Sequence, residues 1–241
     1  FHNAHPNTTS GGGGVSLTGG GLGSTIAVDY VVENNSFRGA DGTALTALYL
    51  PSSGTIRGHI EGNVIGLNDG VAGFEGSSGG GDGILVGIEQ QPGGSGSTYS
   101  VNIVGNQIYD VAFGIAGIQL RSSGGAAGSG AVLEAVIDGN TVDESGAFAA
   151  LYAQVGGSSF SGDYAQMGLE LTDNLFDNGD SPFGGTADHM HLLVGLKATH
   201  CLAKLFTSTA ICSLPRWAAI NRSAPKSIEI AAPPDFRVSG S

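Results

Sequence analysis

Hydrophobic and polar residues alternate along this chain in short runs, and the runs recur. In Val101-Asn102-Ile103-Val104-Gly105-Asn106-Gln107-Ile108 an apolar strand pattern stops at a Gly-Asn step and resumes two residues later. The same pattern returns at Val32–Phe37, Ile60–Ile65, Ile137–Val142 and Leu171–Phe176. Measured between Asn35, Asn63, Asn106, Asn140 and Asn174, the intervals are 28, 43, 34 and 34 residues. Position −3 from each Asn holds Val32, Ile60, Ile103, Ile137 or Leu171, and +2 holds Phe37, Ile65, Ile108, Val142 or Phe176. Positions −5 and −7 continue the two-residue spacing, with Tyr30, Val101 and Leu169 at −5 and Val28, Ile56, Tyr99, Leu133 and Met167 at −7. A period of two turns one face of a strand inward. The Gly-Asn step then breaks the strand, because both residues tolerate the left-handed backbone of a sharp corner.

A second strand is expected after each corner, at Ala44–Leu50, Gly83–Glu89, Ala112–Leu120 and Ala147–Val155, with Val15 and Leu17 in the same strand of an earlier coil. Aligning the last two places Ile118 and Leu120 inward beside Ala153 and Val155. Gly/Ser tracts at Thr18–Ser24, Pro51–Gly54, Gln91–Ser97, Ser122–Gly130 and Gly156–Gly162 then read as loops along one edge, and Gly73–Gly81 as an insertion that lengthens one interval. Repeats on this scale, with no helical period between them, predict an all-β solenoid of about five coils with Gly/Ser-rich corner loops.

The repeated apolar-x-Gly-Asn-x-Ile corner followed by Gly-Ile-x-Leu resembles the right-handed parallel β-helix, or pectate-lyase-like, superfamily. The resemblance implies that Asn35, Asn63, Asn106, Asn140 and Asn174 stack as a hydrogen-bonded ladder. It extends over roughly residues 1–180. It carries little functional information, since one fold hosts lyases, hydrolases, adhesins and secreted passengers.

Composition divides the chain near residue 186. Residues 1–185 hold 41 of the 43 glycines; residues 186–241 hold six of the nine Lys and Arg, both cysteines (Cys201 and Cys212) and the single Trp. The first part is expected to be the β-helix. The second is an atypical tail, either a C-terminal cap (Met190, Leu192 and Val194 extending a strand, Leu193–Phe206 a short helix) or a frame-shifted segment without evolved structure. The net charge of −12 disfavours nucleic acid as a partner. No apolar run is long enough to span a membrane as a helix. Repeats without cysteine exclude a disulfide-stapled or Cys-based zinc solenoid. No glycine-rich phosphate-binding loop ending in Lys-Ser or Lys-Thr occurs.

Three constellations carry candidate chemistry. Asp110, Asp143, Glu144 and Asp177 lie three or four residues past the corner Asn, where an edge of stacked oxygens would suit Ca²⁺. Asp29, Arg57, Glu33, Glu61 and His59 lie on the outward face of the strand before the corner, as a charged sheet face or as acid–base groups. Tyr49, Glu89, Gln119, Arg121, Tyr152 and Gln154 are expected to face outward on the second strand. There the resemblance implies a polysaccharide groove, served by sugar stacking and hydrogen bonds. One carboxylate and one Arg on that face do not complete the family's acidic catalytic set. Gly79–Ile84 has a faint likeness to a glycine-rich calcium repeat but occurs once and reads as a loop. The expected function is therefore an extracellular or cell-surface scaffold, an adhesin-like passenger fragment without its own catalysis. Polysaccharide or surface glycans are the candidate partners. The alternative is a carbohydrate-active enzyme, a polysaccharide lyase or glycoside hydrolase.

Overall fold

A computed structural model describes residues 13–70, 75–77, 80–126, 129–143, 145–156, 164–177, 188–194 and 200–205, and every described element is a β-strand. The chain runs through five coils of three strands each. The first is β1 (Val15–Gly20), β2 (Thr25–Glu33) and β3 (Ser36–Phe37); the second β4 (Leu45–Leu50), β5 (Ser53–Glu61) and β6 (Val64–Ile65). The third is β7 (Ile84–Gln90), β8 (Gly96–Val104) and β9 (Gln107–Ile108); the fourth β10 (Ala116–Ala126), β11 (Ser129–Asp138) and β12 (Thr141–Val142). The fifth is β13 (Ala149–Val155), β14 (Gln166–Thr172) and β15 (Leu175–Phe176), followed by β16 (Asp188–Val194) and β17 (His200–Leu205).

Like strands of successive coils pair in parallel. β1, β4, β7, β10, β13 and β16 form one column; β2, β5, β8, β11, β14 and β17 a second; and β3, β6, β9, β12 and β15 a third. The arrangement is compatible with a solenoid, but the large sheet is mixed. β10 and β11 meet antiparallel at Gly125↔Gly130 and Ala126↔Ser129, which joins the first two columns. Much of the tract expected as the loop Ser122–Gly130 is thus strand, its glycines letting two backbones approach. Of the expected insertion at 73–81, residues 75–77, 80 and 81 are described, and Ser77 bridges Ala40 on one side and Val111 on the other.

The core is built from the alternating positions. Val32, Ile60, Ile103, Ile137 and Leu171 are register partners from coil to coil, as are Val28, Ile56, Tyr99, Leu133 and Met167. Phe37, Ile65, Ile108, Val142 and Phe176 make the corresponding row of the short column. Ile56, Ile60, Ile65, Ile103, Ile108 and Ile137 are wholly buried. At roughly 1.5–3 kcal/mol for each fully buried aliphatic side chain, these rows are the main favourable term holding the coils together. Tyr30 reaches its neighbour's space because the partner position is Gly58; a Cβ there would lie 2.4 Å from the Tyr30 ring and hydroxyl.

The corner geometry has a single repeated cause. The residue before each ladder Asn is Asn34, Gly62, Gly105, Gly139 or Asp173, with φ of 55°, 63°, 60°, 63° and 51°. The left-handed residue is therefore the one at −1, and only residue types that tolerate it occur there.

Two local expectations need correcting. Ile118 lies beside Leu151 and Leu120 beside Ala153, so the sequence alignment of β10 with β13 was slipped by two residues. A slip of two keeps each side chain on its face, which is why the inward set survived the error. In the tail, β16 and β17 add to β13 and β14 as parallel strands, where a helix at 193–206 was one expectation. Residues 195–199 and those beyond 205 lie outside the described set.

Candidate functional site

The five corner asparagines meet in one continuous ladder. Nδ2 of Asn35, Asn63, Asn106 and Asn140 donates to Oδ1 of the next Asn at 3.1, 2.9, 2.9 and 3.0 Å. The same Oδ1 atoms accept the backbone N–H of the preceding Asn at 3.0, 3.0, 2.9 and 2.9 Å. Nδ2 of Asn63, Asn106, Asn140 and Asn174 also donates back to the carbonyls of Val32, Ile60, Ile103 and Ile137. Asn63, Asn106 and Asn140 are fully buried. A buried amide is stable only when its donors and acceptors are matched, and here each coil matches the next.

The six residues expected on the outward face of the second strand do not all reach it. Tyr49 is 4 % exposed and packs its ring against Tyr99 and Tyr30, with centroids 5.7 and 6.3 Å apart. It shares the inward parity of Leu45 and Ala47, and Leu48 takes the outward position. The hydroxyls of Tyr30 and Tyr99 are hydrogen-bonded to each other inside this cluster. Burial raises both phenols above their ordinary range. Gln119 is outward in parity yet buried.

The other four lie part-exposed on that face. Gln119 is the register partner of Tyr152, Arg121 of Gln154 and Gly87, and Glu89 of Ser123. Among the described residues neither Glu89 nor Arg121 forms an ion pair. Burial raises the Tyr152 phenol, and Arg121 partly offsets that rise.

What sequence reasoning missed is the apolar corner beside this face. Phe113, Ile115 and Phe148 are about half exposed, and Phe148 packs edge-on against Tyr152 at 6.4 Å. Phe148 N–H donates to the Gly114 carbonyl and Ala149 N–H to that of Ile115, so the two coils carry these side chains side by side. A contiguous exposed apolar cluster of this kind marks an interaction surface more often than a solitary apolar residue does. The signal was present as Ala112-Phe113 and Ala147-Phe148, a repeated pair one coil apart. It was hidden because both pairs were assigned to strands that begin only at Ala116 and Ala149.

Three of the four candidate calcium ligands, Asp110, Asp143 and Asp177, lie among the described residues. Asp143 and Asp177 sit on neighbouring coils, since Val142 pairs with Phe176 just before them. Asp110 is buried, has φ of 59°, and turns its Oδ2 to the backbone N–H of Leu67 at 3.1 Å. Glu144 lies outside the described residues. Among the described residues no group of three or more His, Cys, Asp or Glu gathers at metal-binding spacing. On β2 and β5, Asp29 faces Arg57 at 3.5 Å with both side chains largely exposed, and His59 Nε2 meets Glu61 Oε2 at 2.6 Å. Glu33 and Glu61 are register neighbours. This is a charged, solvated sheet face, on which single ion pairs contribute little.

No described helix is long and apolar enough to cross a membrane, a statement that leaves strands aside. Compared with protein-family models, curated proteins and solved structures, the chain has no match.

Proposed function

We propose that this chain is a right-handed parallel β-helix acting as an extracellular or cell-surface scaffold, adhesin-like and without catalysis of its own. The observation that carries the reading is the unbroken Asn35–Asn174 ladder, running beside apolar rows that keep register over five coils. Such a stack makes a stiff rod whose stability comes from neighbour-to-neighbour contacts, suited to holding something at a distance. Right-handedness follows the general preference of parallel crossovers. Repeats without cysteine and poor in Lys fit an extracellular setting. The outward face of β7, β10 and β13 gathers one carboxylate and one guanidinium, Glu89 and Arg121, which supports binding rather than bond cleavage.

The second reading is carbohydrate recognition on that face, and the apolar corner favours it. Phe113, Phe148 and Tyr152 offer rings for stacking on sugars, beside the hydrogen-bonding groups of Arg121, Glu89 and Gln154. A panel of neutral and acidic polysaccharides, with and without calcium, separates the readings. The scaffold reading expects no new reducing ends and no unsaturated products. Turnover abolished by Arg121→Ala would overturn it in favour of a lyase or hydrolase. Saturable glycan binding without turnover, weakened at least tenfold in Phe148→Ala, would establish the second reading. Calorimetric calcium binding lost in Asp143→Asn/Asp177→Asn would assign the ion to the edge of β12 and β15.

A further inference from the structure

Gln90 is the last residue of β7 and Ser97 the second of β8, so the two flank the turn from the first column into the second. Both face inward. Gln90 shares the parity of Ile84, Val86 and Ile88 and is wholly buried; Ser97 shares that of Tyr99, Val101 and Ile103 and is 3 % exposed. Among the buried side chains of the described residues, Gln90 Oε1 and Ser97 Oγ are the polar atoms without a hydrogen-bond partner. Buried polar atoms in folded proteins are nearly always bonded, to protein or to ordered water, so two orphans at one turn point to a ligand.

The orientation of the amide is fixed. Gln90 Nε2 donates to the Ser129 carbonyl at 2.5 Å, and exchanging the two amide atoms would set oxygen against oxygen. Oε1 is therefore the unsatisfied atom, and it can only accept. The neighbours are small. In the next coil Gln90 pairs with Gly124, and Ser97 lies between Gly54 and Ala131, so these register partners carry at most a methyl group. The turn itself is packed close: a Cβ on Gly94 would lie 2.9 Å from Gln90 Nε2 and 2.0 Å from the Ser52 carbonyl. One coil on, Ser122 Oγ donates to the Ala131 carbonyl at 3.4 Å, so groups of the two columns do meet across this corner.

We propose that one internal water molecule binds between Gln90 and Ser97, donating a hydrogen bond to Oε1 and accepting one from Oγ. The chemistry of the two atoms selects it. One is a strict acceptor and the other a hydroxyl that can donate, so the ligand must be a small neutral molecule with both a donor and an acceptor. Calcium wants six to eight oxygens, several of them carboxylate, which two neutral oxygens do not approach. The second water proton has an acceptor in Ser122 Oγ, whose own proton is directed at Ala131, and three bonds are usual for a buried water. The water pins β8 at its start, as the Asn106 ladder pins the corner beyond its end. It also fixes the end of β7 beside Glu89, and it does so whether or not the outward face binds sugar.

A high-resolution crystal structure of the full chain tests the proposal. The expected result is a water within about 2.7–3.2 Å of both Gln90 Oε1 and Ser97 Oγ. A direct bond between these two atoms, or no water touching both, overturns it. In solution, oxygen-17 relaxation dispersion counts the long-lived waters. Ser97→Val, which replaces the hydroxyl by a methyl group, should lose one of them per chain. Thr98→Val, at the exposed neighbour in the same strand, should lose none. An unchanged count in a folded Ser97→Val overturns the proposal, and should that variant fail to fold, the parent's crystal structure decides.

Discussion

Replacing Asn106 by Ala removes five side-chain hydrogen bonds from a fully buried position. Its Oδ1 accepts from the Asn63 backbone N–H at 3.0 Å and from Asn63 Nδ2 at 2.9 Å; its Nδ2 donates to Ile60 O, Val104 O and Asn140 Oδ1 at 3.0, 3.1 and 2.9 Å. Some partners keep another bond: Asn63 Nδ2 still donates to the Val32 carbonyl, and Asn140 Oδ1 still accepts the Asn106 N–H. The principal orphans are the Asn63 N–H and the Ile60 carbonyl bond from this side chain. At roughly 1–3 kcal/mol for each buried group left unsatisfied, Asn106→Ala should cost about 4 kcal/mol. Asn35→Ala, at the more exposed end of the ladder, loses only the bonds from Nδ2 to Glu33 O and Asn63 Oδ1 and should cost about 1 kcal/mol. The assay is urea unfolding of both variants and the parent, with the slope of each transition compared to establish that the same unit unfolds. Equal losses in the two variants would refute the claim that interior ladder amides are matched group by group.

Other outcomes follow from the same geometry. Ile137→Asp, at a wholly buried position in β11, places an unpaired charge in the core and should cost roughly 4 kcal/mol or more, read as loss of the parent's thermal transition. Gly58→Ala puts a methyl group 2.4 Å from the Tyr30 ring and should cost roughly 1–3 kcal/mol. It should also change near-ultraviolet dichroism as Tyr30 leaves Tyr99, whereas unchanged tyrosine bands would place Tyr30 elsewhere. Asp29→Ala breaks a solvated pair with Arg57, so its melting temperature should stay close to the parent's; a large drop would give that sheet face a role the solvated pair does not account for.

The parts of the fold legible in the sequence are those anchored by a corner. The Gly-Asn step fixes both the backbone reversal and the next side-chain parity, so the rows through Ile60, Ile103 and Ile137 and the five asparagines could be read directly. Beyond the corner the anchor is lost. From ladder Asn to paired residue in the following strand the chain takes 10 residues to Leu45, 21 to Ile84, 12 to Ile118 and 11 to Leu151. Variable loops of that kind allow the alignment of β10 and β13 to slip by two, and they conceal which side Tyr49 faces. Tyr49 is expected outward from the sequence, but parity with Leu45 and Ala47 and the space near Tyr30 and Tyr99 turn it inward. Asp82 was equally obscure. A lone acid among glycines reads as a loop until the Ala116 N–H is seen donating to its Oδ1 at 2.8 Å. Within the candidate calcium set, Asp110 accepts the Leu67 N–H, a contact with a residue 43 positions earlier that sequence spacing does not reveal.

The most direct test of the stacked-coil account is an NMR experiment that detects scalar coupling across hydrogen bonds. It should correlate the backbone nitrogens of Asn35, Asn63, Asn106 and Asn140 with the side-chain carbonyl carbons of Asn63, Asn106, Asn140 and Asn174, respectively. Four such correlations, each crossing from one coil to the next, are the expected result. Correlations confined within a coil, or none at the asparagines while neighbouring strand amides show theirs, would contradict the ladder and the register built on it.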